Sequence, residues 1–202
     1  MTDIARTCIK ISLLGDQAVG KTCICSTFFG LEFMENTLTS IGIEKNETKM
    51  KLENGKEIKV KIWDTAGQER FKSISLSTIK NSQGVLVVFD VTSTESFKHV
   101  TEWLKKIKDQ KENIAIVLMG NKFDLPNRTV TKEEAEEFAK KNKLSYFESS
   151  AKLNKNIQEA FAKVVNEAYK LSSNAEGNEL NNNAKKKKTE GGCFGSKKKK
   201  QK

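Results

Sequence analysis

Residues 15–22 read Gly15-Asp16-Gln17-Ala18-Val19-Gly20-Lys21-Thr22, the string G-x-x-x-x-G-K-[ST]. That spacing suits the binding of a polyphosphate. Glycines let the backbone bend until several N–H groups point at one anion. A helix opening directly after the loop adds partial positive charge at the same place. Lys21 is then placed to neutralise the outer phosphates, and the Thr22 hydroxyl to ligate Mg²⁺. A second string, Asp64-Thr65-Ala66-Gly67-Gln68, supplies what a phosphoryl-transfer site needs next to such a loop. Asp64 is a carboxylate for Mg²⁺, held directly or through water. Gly67 permits close backbone approach to a terminal phosphate. The Gln68 amide donates and accepts at once and can orient a water.

A third string, Asn121-Lys122-Phe123-Asp124, carries base choice. The Asp124 carboxylate can accept hydrogen bonds from N1–H and the 2-amino group of guanine. Adenine lacks both donors and would leave that carboxylate desolvated and unpaired. The aliphatic stem of Lys122 can cover a ring face, and Asn121 can bind both loop backbone and base.

The elements that must position these loops follow from hydrophobic periodicity. Ile9, Ile11 and Leu13 alternate with polar neighbours and predict a strand over residues 8–14, feeding the phosphate loop and a helix over 22–29. Extended runs at 43–52 and 57–63 flank Asn54-Gly55, a hairpin signal, so these two strands are expected to be antiparallel. A weak helix is expected over 71–79. The apolar runs 84–89 and 114–119 predict strands covered on both faces. Thr92–Glu95 and Thr131–Glu134 fit capping boxes opening two helices. Behind the first, Val100, Trp103, Leu104 and Ile107 recur at helical spacing. A short strand at 144–147 precedes a last helix with the stripe Ile157, Ala160, Phe161, Val164, Val165 and Ala168. Strands alternating with helices imply an α/β fold: one P-loop NTPase domain with a six-stranded, mainly parallel sheet, one antiparallel edge strand, and helices on both faces. In such sheets ligands sit beyond the carboxyl ends of the strands, where all of these strings fall.

Composition narrows the class. The 202 residues are 37% hydrophobic and 31% charged, enough for one domain over 1–172 and a tail over 173–202. No apolar run approaches the ~20 residues of a membrane span, and residues 1–7 carry no apolar signal region, which argues against a secretory route. Four cysteines are then expected to be reduced thiols, with Cys23 and Cys25 at apolar helix positions and not at a zinc site. The single His99 has no catalytic or metal partners in sequence reach and reads as a helix-surface residue. The net charge of +10 is uneven: residues 173–202 hold nine lysines against three glutamates, a net +6.

GDQAVGKT (15–22), WDTAGQE (63–69), NKFD (121–124) and ESSAK (148–152), in this order and spacing, resemble the Ras superfamily of small GTPases across nearly all of residues 1–172. Ile41-Gly42-Ile43-Glu44, Lys61-Ile62-Trp63, Arg70-Phe71-Lys72-Ser73-Ile74, Ser96-Phe97 and Trp103-Leu104 look like the Rab family. The resemblance implies a GTP/GDP switch in vesicle trafficking, with GTP or GDP and Mg²⁺ as cofactors. It implies that Phe33 packs on the guanine edge, that Ser40 contacts Mg²⁺ and senses the γ-phosphate, and that Cys23, Ser150, Ala151 and Lys152 belong to the nucleotide pocket. It further implies a monomer that meets exchange factor, activating protein and effectors through residues 31–44 and 66–79. A Ras-like signalling role and a non-hydrolysing nucleotide-binding scaffold are the competing readings, and Gln68 speaks against the second. A nucleic-acid protein is the weaker alternative, because the folded part lacks a basic aromatic face.

Three departures from the Rab pattern stand out. Ser40 replaces a threonine, Lys45 a phenylalanine, and Thr78-Ile79-Lys80 a Tyr-Tyr-Arg run, the last two in surfaces that partners read. The tail is expected to be disordered. Its lysine runs 185–188 and 197–200 flank Cys193, which sits nine residues from the end and so forms no C-a-a-X box. The expected role is a tether to anionic membrane on the cytosolic face of an endomembrane or the plasma membrane, electrostatic and, through Cys193, lipidated.

Overall fold

The computed structural model describes residues 8–33, 44–64 and 72–190. Six strands, β1 (Cys8–Leu14), β2 (Glu44–Lys51), β3 (Glu57–Asp64), β4 (Gly84–Asp90), β5 (Ala115–Asn121) and β6 (Ser145–Glu148), form one sheet in the order β2-β3-β1-β4-β5-β6. Every adjacent pair is parallel except β2 with β3. The β2–β3 turn closes through Leu52 N–H donating to the Lys56 carbonyl at 2.8 Å, with Gly55 at φ +82°, as the Asn-Gly pair requires. Five helices join the strands: α1 (Lys21–Phe28), α2 (Lys72–Asn81), α3 (Thr94–Gln110), α4 (Lys132–Lys141) and α5 (Ile157–Glu190).

The period-2 alternation of the strands divides the core between the two faces of the sheet. On one face Ile9, Ile11 and Leu13 of β1, Leu86 and Val88 of β4, and Val117 and Met119 of β5 pack against Ile24 of α1 and Phe161, Val164 and Val165 of α5. On the other, Val85, Val87 and Phe89 of β4 and Leu118 of β5 pack against Val100, Trp103, Leu104 and Ile107 of α3 and Ala135 and Ala139 of α4. All seven residues of β4 are buried, which is why its sequence is a continuous apolar run. Burial of each such Val, Leu or Phe contributes about 1.5–3 kcal/mol. The core therefore holds the sheet rigidly and leaves the loops at its carboxyl edge to be shaped by their own hydrogen bonds.

Two details differ from the sequence expectation. The cap of α3 is Ser93, not Thr92: the Ser93 side chain accepts from Ser96 N–H at 3.2 Å. Thr92 is already engaged, its N–H and hydroxyl both donating to Asp90 Oδ1 at 2.8 and 2.7 Å, so the cap moves one residue on. The second box is formed as expected, with Thr131 and Glu134 bonded reciprocally. The other difference is α5, which continues to Glu190 although residues from 173 are expected to lack regular structure. A helix already anchored by its packed first turns extends without a new nucleation cost, and residues 173–190 contain no proline and ten good helix formers (Ala, Glu, Lys and Leu) against five Asn and the single Gly177.

Candidate functional site

Because β1, β3, β4, β5 and β6 run in parallel, their carboxyl ends share one edge. The register places Asp64 beside Leu13, Val87 beside Leu14, Asn121 beside Asp90, and Glu148 beside Gly120. The loop 15–20 leaves β1 at the centre of that edge and turns into α1. Its curvature rests on backbone that side chains rarely adopt: Gly15, Ala18 and Gly20 have φ of +142°, +63° and +98°. A Cβ on Gly15 would overlap the Val88 carbonyl oxygen, and one on Gly20 would overlap the Asn121 amide. Ala18 in the left-handed region costs about 1–2 kcal/mol, strain of the kind that gathers at ligand-binding turns. Among the described residues the cap position Gly20 supplies no side-chain hydrogen bond to α1, and its first turn holds no acidic residue. An anion is the partner that such a helix start accepts.

Lys21 is 4% exposed. Its ammonium donates to the Gly15 carbonyl at 2.9 Å and the Asp16 carbonyl at 2.6 Å, lying across the mouth of the loop it belongs to. Thr22 and Cys23 follow in the first turn of α1, both partly buried. Asp64 ends β3, so the strand runs one residue beyond the 57–63 expected from sequence, and Asp64 is 1% exposed beside the loop's root. The chemistry of this set, a hydroxyl and a carboxylate beside an anion cradle, fits a hard divalent cation.

Asn121 joins three loops. It is 1% exposed; its Nδ2 donates to the Val19 carbonyl at 2.9 Å, and its Oδ1 accepts from Ala151 N–H at 3.3 Å and the Ser149 hydroxyl at 3.4 Å. Thr27 on α1 closes the same circuit, donating to the Ala151 carbonyl at 3.0 Å. Ser150 is fully buried and accepts from Leu153 N–H at 3.0 Å, while Lys152 is exposed. Lys122 sits at φ +67° and forms an ion pair with Asp90 at 2.7 Å, so its stem is held in a fixed direction. Asp124 follows on a turn closed by Leu125 N–H donating to the Lys122 carbonyl at 3.0 Å. Phe33 is 37% exposed at the end of the first described segment. Of the residues expected in the site, Ser40, Gly67, Gln68 and Cys193 lie outside the described residues.

Several contributors were not legible as such. Arg128 donates to the Glu148 carboxylate at 2.6 Å, and Tyr146 donates to the same oxygen at 3.3 Å. This cluster pins the loop after Asp124 to the start of the 148–152 turn. Burial first, then the Glu148 charge, raises the Tyr146 hydroxyl well above its ordinary value, which keeps it a donor. His99 is also more than a surface residue: its Nδ1 lies 2.6 Å from Asp16 Oδ2, and Trp103 Nε1 donates to Asp16 Oδ1 at 2.9 Å. The partner stands 83 residues away, beyond any sequence window, although a His four residues before a Trp on one helix face was a readable pairing.

Comparison with known proteins agrees with this geometry. A family model described as "Ras family" matches residues 10–170. The chain is 41% identical over 167 residues to the GTP-binding protein ypt3 of Schizosaccharomyces pombe, covering 82% of this chain and 78% of that protein. It is 39% identical over 166 residues to the Ras-related protein RABA2a of Arabidopsis thaliana (81% and 76%). It is 37% identical over 178 residues to the Ras-related protein Rab-13 of Bos taurus (87% and 86%).

Proposed function

Since this chain belongs to the Ras family, with Rab proteins among its relatives, we propose that it is a Rab-like GTP/GDP switch of vesicle trafficking that binds guanine nucleotide at the carboxyl edge of its sheet and hydrolyses GTP slowly. The observation that carries this reading is the Asn121 side chain, which fastens the phosphate loop at Val19 to the base-side turn at Ala151. A cradle for phosphates and a pocket for a base are thereby one rigid site.

In this reading backbone N–H groups of residues 15–20 and the start of α1 hold the phosphates, and Lys21 turns its ammonium from the Gly15 and Asp16 carbonyls toward them. Asp124 accepts from the guanine N1–H and 2-amino group, the Lys122 stem covers a ring face, Phe33 packs on the guanine edge, and Ser150, Ala151 and Lys152 line the base side. Mg²⁺, held by Thr22, Asp64 and Ser40, would neutralise charge on the transferring phosphoryl group. Gly67 brings backbone to the γ-phosphate, and Gln68 orients the attacking water. Partners read residues 31–44 and 66–79, whose order follows the γ-phosphate. The chain acts as a monomer on the cytosolic face of a membrane, where the lysine-rich residues 173–202 and Cys193 tether it. Among the described residues no helix is long and apolar enough to cross a membrane.

The test is equilibrium binding of fluorescent GDP with GTP, ATP and XTP as competitors, followed by single-turnover GTP hydrolysis. Competition by ATP equal to that by GTP would refute the assignment of Asp124. Absence of any guanine-nucleotide binding would refute the whole reading.

A further inference from the structure

The phosphate loop is gripped on its outer side by α3. The Asp16 carboxylate takes one hydrogen bond on each oxygen, from His99 Nδ1 at 2.6 Å and from Trp103 Nε1 at 2.9 Å. His99 and Trp103 are four residues apart and so lie on one face of α3. A carboxylate only accepts, so Nδ1 carries the proton in this contact. Lys106 stands over the Trp103 ring with its ammonium 4.4 Å from the centroid, which fixes the indole. The chain of contacts does not stop at the carboxylate. The Asp16 carbonyl accepts from the Lys21 ammonium at 2.6 Å. An imidazole on α3 is therefore linked, through a single residue, to the lysine whose ammonium lies across the loop.

We infer that His99 and Trp103 are positioning residues of the nucleotide site: through the Asp16 carboxylate they hold the phosphate loop against α3, and the protonation of His99 sets how tightly guanine nucleotide is retained. The inference rests on the phosphate loop being a nucleotide cradle. The geometry also defines a cleft of about 520 Å³ between the loop and the first turns of α3, lined by Asp16, Asp90, Glu95, His99 and Lys122 among others, so the imidazole exchanges protons with solvent. The charged groups facing it are Asp16 from the loop and Glu95 and Glu102 from α3 itself; across the cleft Asp90 and Lys122 neutralise each other as an ion pair at 2.7 Å. The hydrogen bond to Asp16, followed by the Asp16 charge, raises the affinity of His99 for its proton above the ordinary value.

The direction follows from linkage. The gripped loop binds the proton more tightly than a released loop, whose imidazole titrates near ~6.5. The extra grip is complete below that pH and is lost as pH rises through the higher value of the gripped state. Neutral His99 still donates through Nδ1, and its side chain is 40% exposed, so solvent screening keeps the change modest: about threefold in the release rate.

The experiment follows release of a fluorescent GDP analogue from the full chain, against excess unlabelled GDP, between pH 6 and 9. The wild-type rate should rise about threefold with a midpoint above ~6.5. His99→Asn keeps a donor and cannot titrate, so its profile should be flat. Trp103→Phe removes the indole donor and should release faster at every pH while keeping the rise. Thermal melts of each variant identify any loss of fold. In parallel, the His99 imidazole is titrated by NMR in the wild type and in Asp16→Asn, where its midpoint should fall. Matching release profiles for wild type and His99→Asn would overturn the inference. If the chain took up no guanine nucleotide, the functional reading would fail; an imidazole midpoint unmoved by Asp16→Asn would then overturn the grip independently.

Discussion

Replacing Asn121 with alanine isolates the contact on which the site depends. The side chain is 1% exposed, and three of its bonds end on buried groups of two other loops. Alanine leaves the Val19 carbonyl and the Ala151 N–H without this partner. A buried backbone group left unsatisfied costs about 1–3 kcal/mol. The Val19 bond at 2.9 Å belongs near the middle of that range, the Ala151 bond at 3.3 Å near its lower end, so the sum is about 3 kcal/mol. In a chain of this size that lowers Tm by about 6–12 °C. Nucleotide affinity falls as well, because the phosphate loop and the base-side turn no longer hold their relative position. If half of the lost energy appears in binding, the affinity falls about tenfold. Differential scanning fluorimetry and fluorescent-GDP titration read the two effects. Thr27→Val is the graded control, since it removes only the 3.0 Å bond to the Ala151 carbonyl and should cost about 0.5–1.5 kcal/mol. Unchanged Tm and affinity in Asn121→Ala would refute the view that this side chain unites the loops.

Asp124→Asn should weaken GTP about 10²-fold, from two charge-assisted hydrogen bonds lost, and favour xanthine nucleotides, whose 2-carbonyl can accept from the Asn amide; competition binding reads the swap. Gln68→Leu should keep GTP binding and slow single-turnover hydrolysis about tenfold or more, because the water is no longer oriented. Truncation after Ser172, which removes both lysine runs, should abolish salt-sensitive sedimentation with anionic vesicles, each lysine near the surface contributing ~1 kcal/mol. Cys193→Ser isolated from cells should lose whatever salt-resistant fraction the wild type shows.

The fold was legible because its strands advertise their burial. A run such as Val85–Phe89 permits no solvent-facing side. Of the candidate site, the bend of the loop 15–20 was legible in its glycines, since a Cβ at Gly15 or Gly20 would overlap the Val88 carbonyl or the Asn121 amide. What was not legible depends on distance along the chain. His99 and Asp16 meet only because α3 packs under the loop that leaves β1, and Arg128 meets Glu148 only because β6 returns beside β5. The misplaced cap of α3 has a local cause: Asp90, ending a strand, captured Thr92 before the helix could use it. Propensity describes a residue's options, and a neighbour that binds first removes one.

The same distinction bears on how this chain departs from other Rab sequences. The run Thr78-Ile79-Lys80 is expected on a surface that partners read. In the structure Thr78 is 1% exposed and Ile79 fully buried, packed with Val85, Val87 and Ile107, while Lys80 alone faces solvent. Ser82 donates to the Thr78 carbonyl at 2.8 Å and meets Ser12 of β1 at 2.5 Å, so this end of α2 is fastened to the sheet. Thr78 and Ile79 are therefore closed to direct contact with a partner, and Lys80 is the residue of the run that stays accessible. On the neighbouring sheet face the lysines are partly matched within the chain: Glu47 pairs with both Lys59 and Lys61, and Lys49 pairs with Glu57 at 3.2 Å. Lys10 lies over the Trp63 ring at 5.7 Å from its centroid. A partner that reads this face must compete with those internal pairs, which are exposed and individually worth only about 0–1 kcal/mol. Three lysines share two glutamates and Lys10 keeps its charge over the indole, so the face stays net basic, and a partner that reads it must match that charge as well as the shape around Trp63.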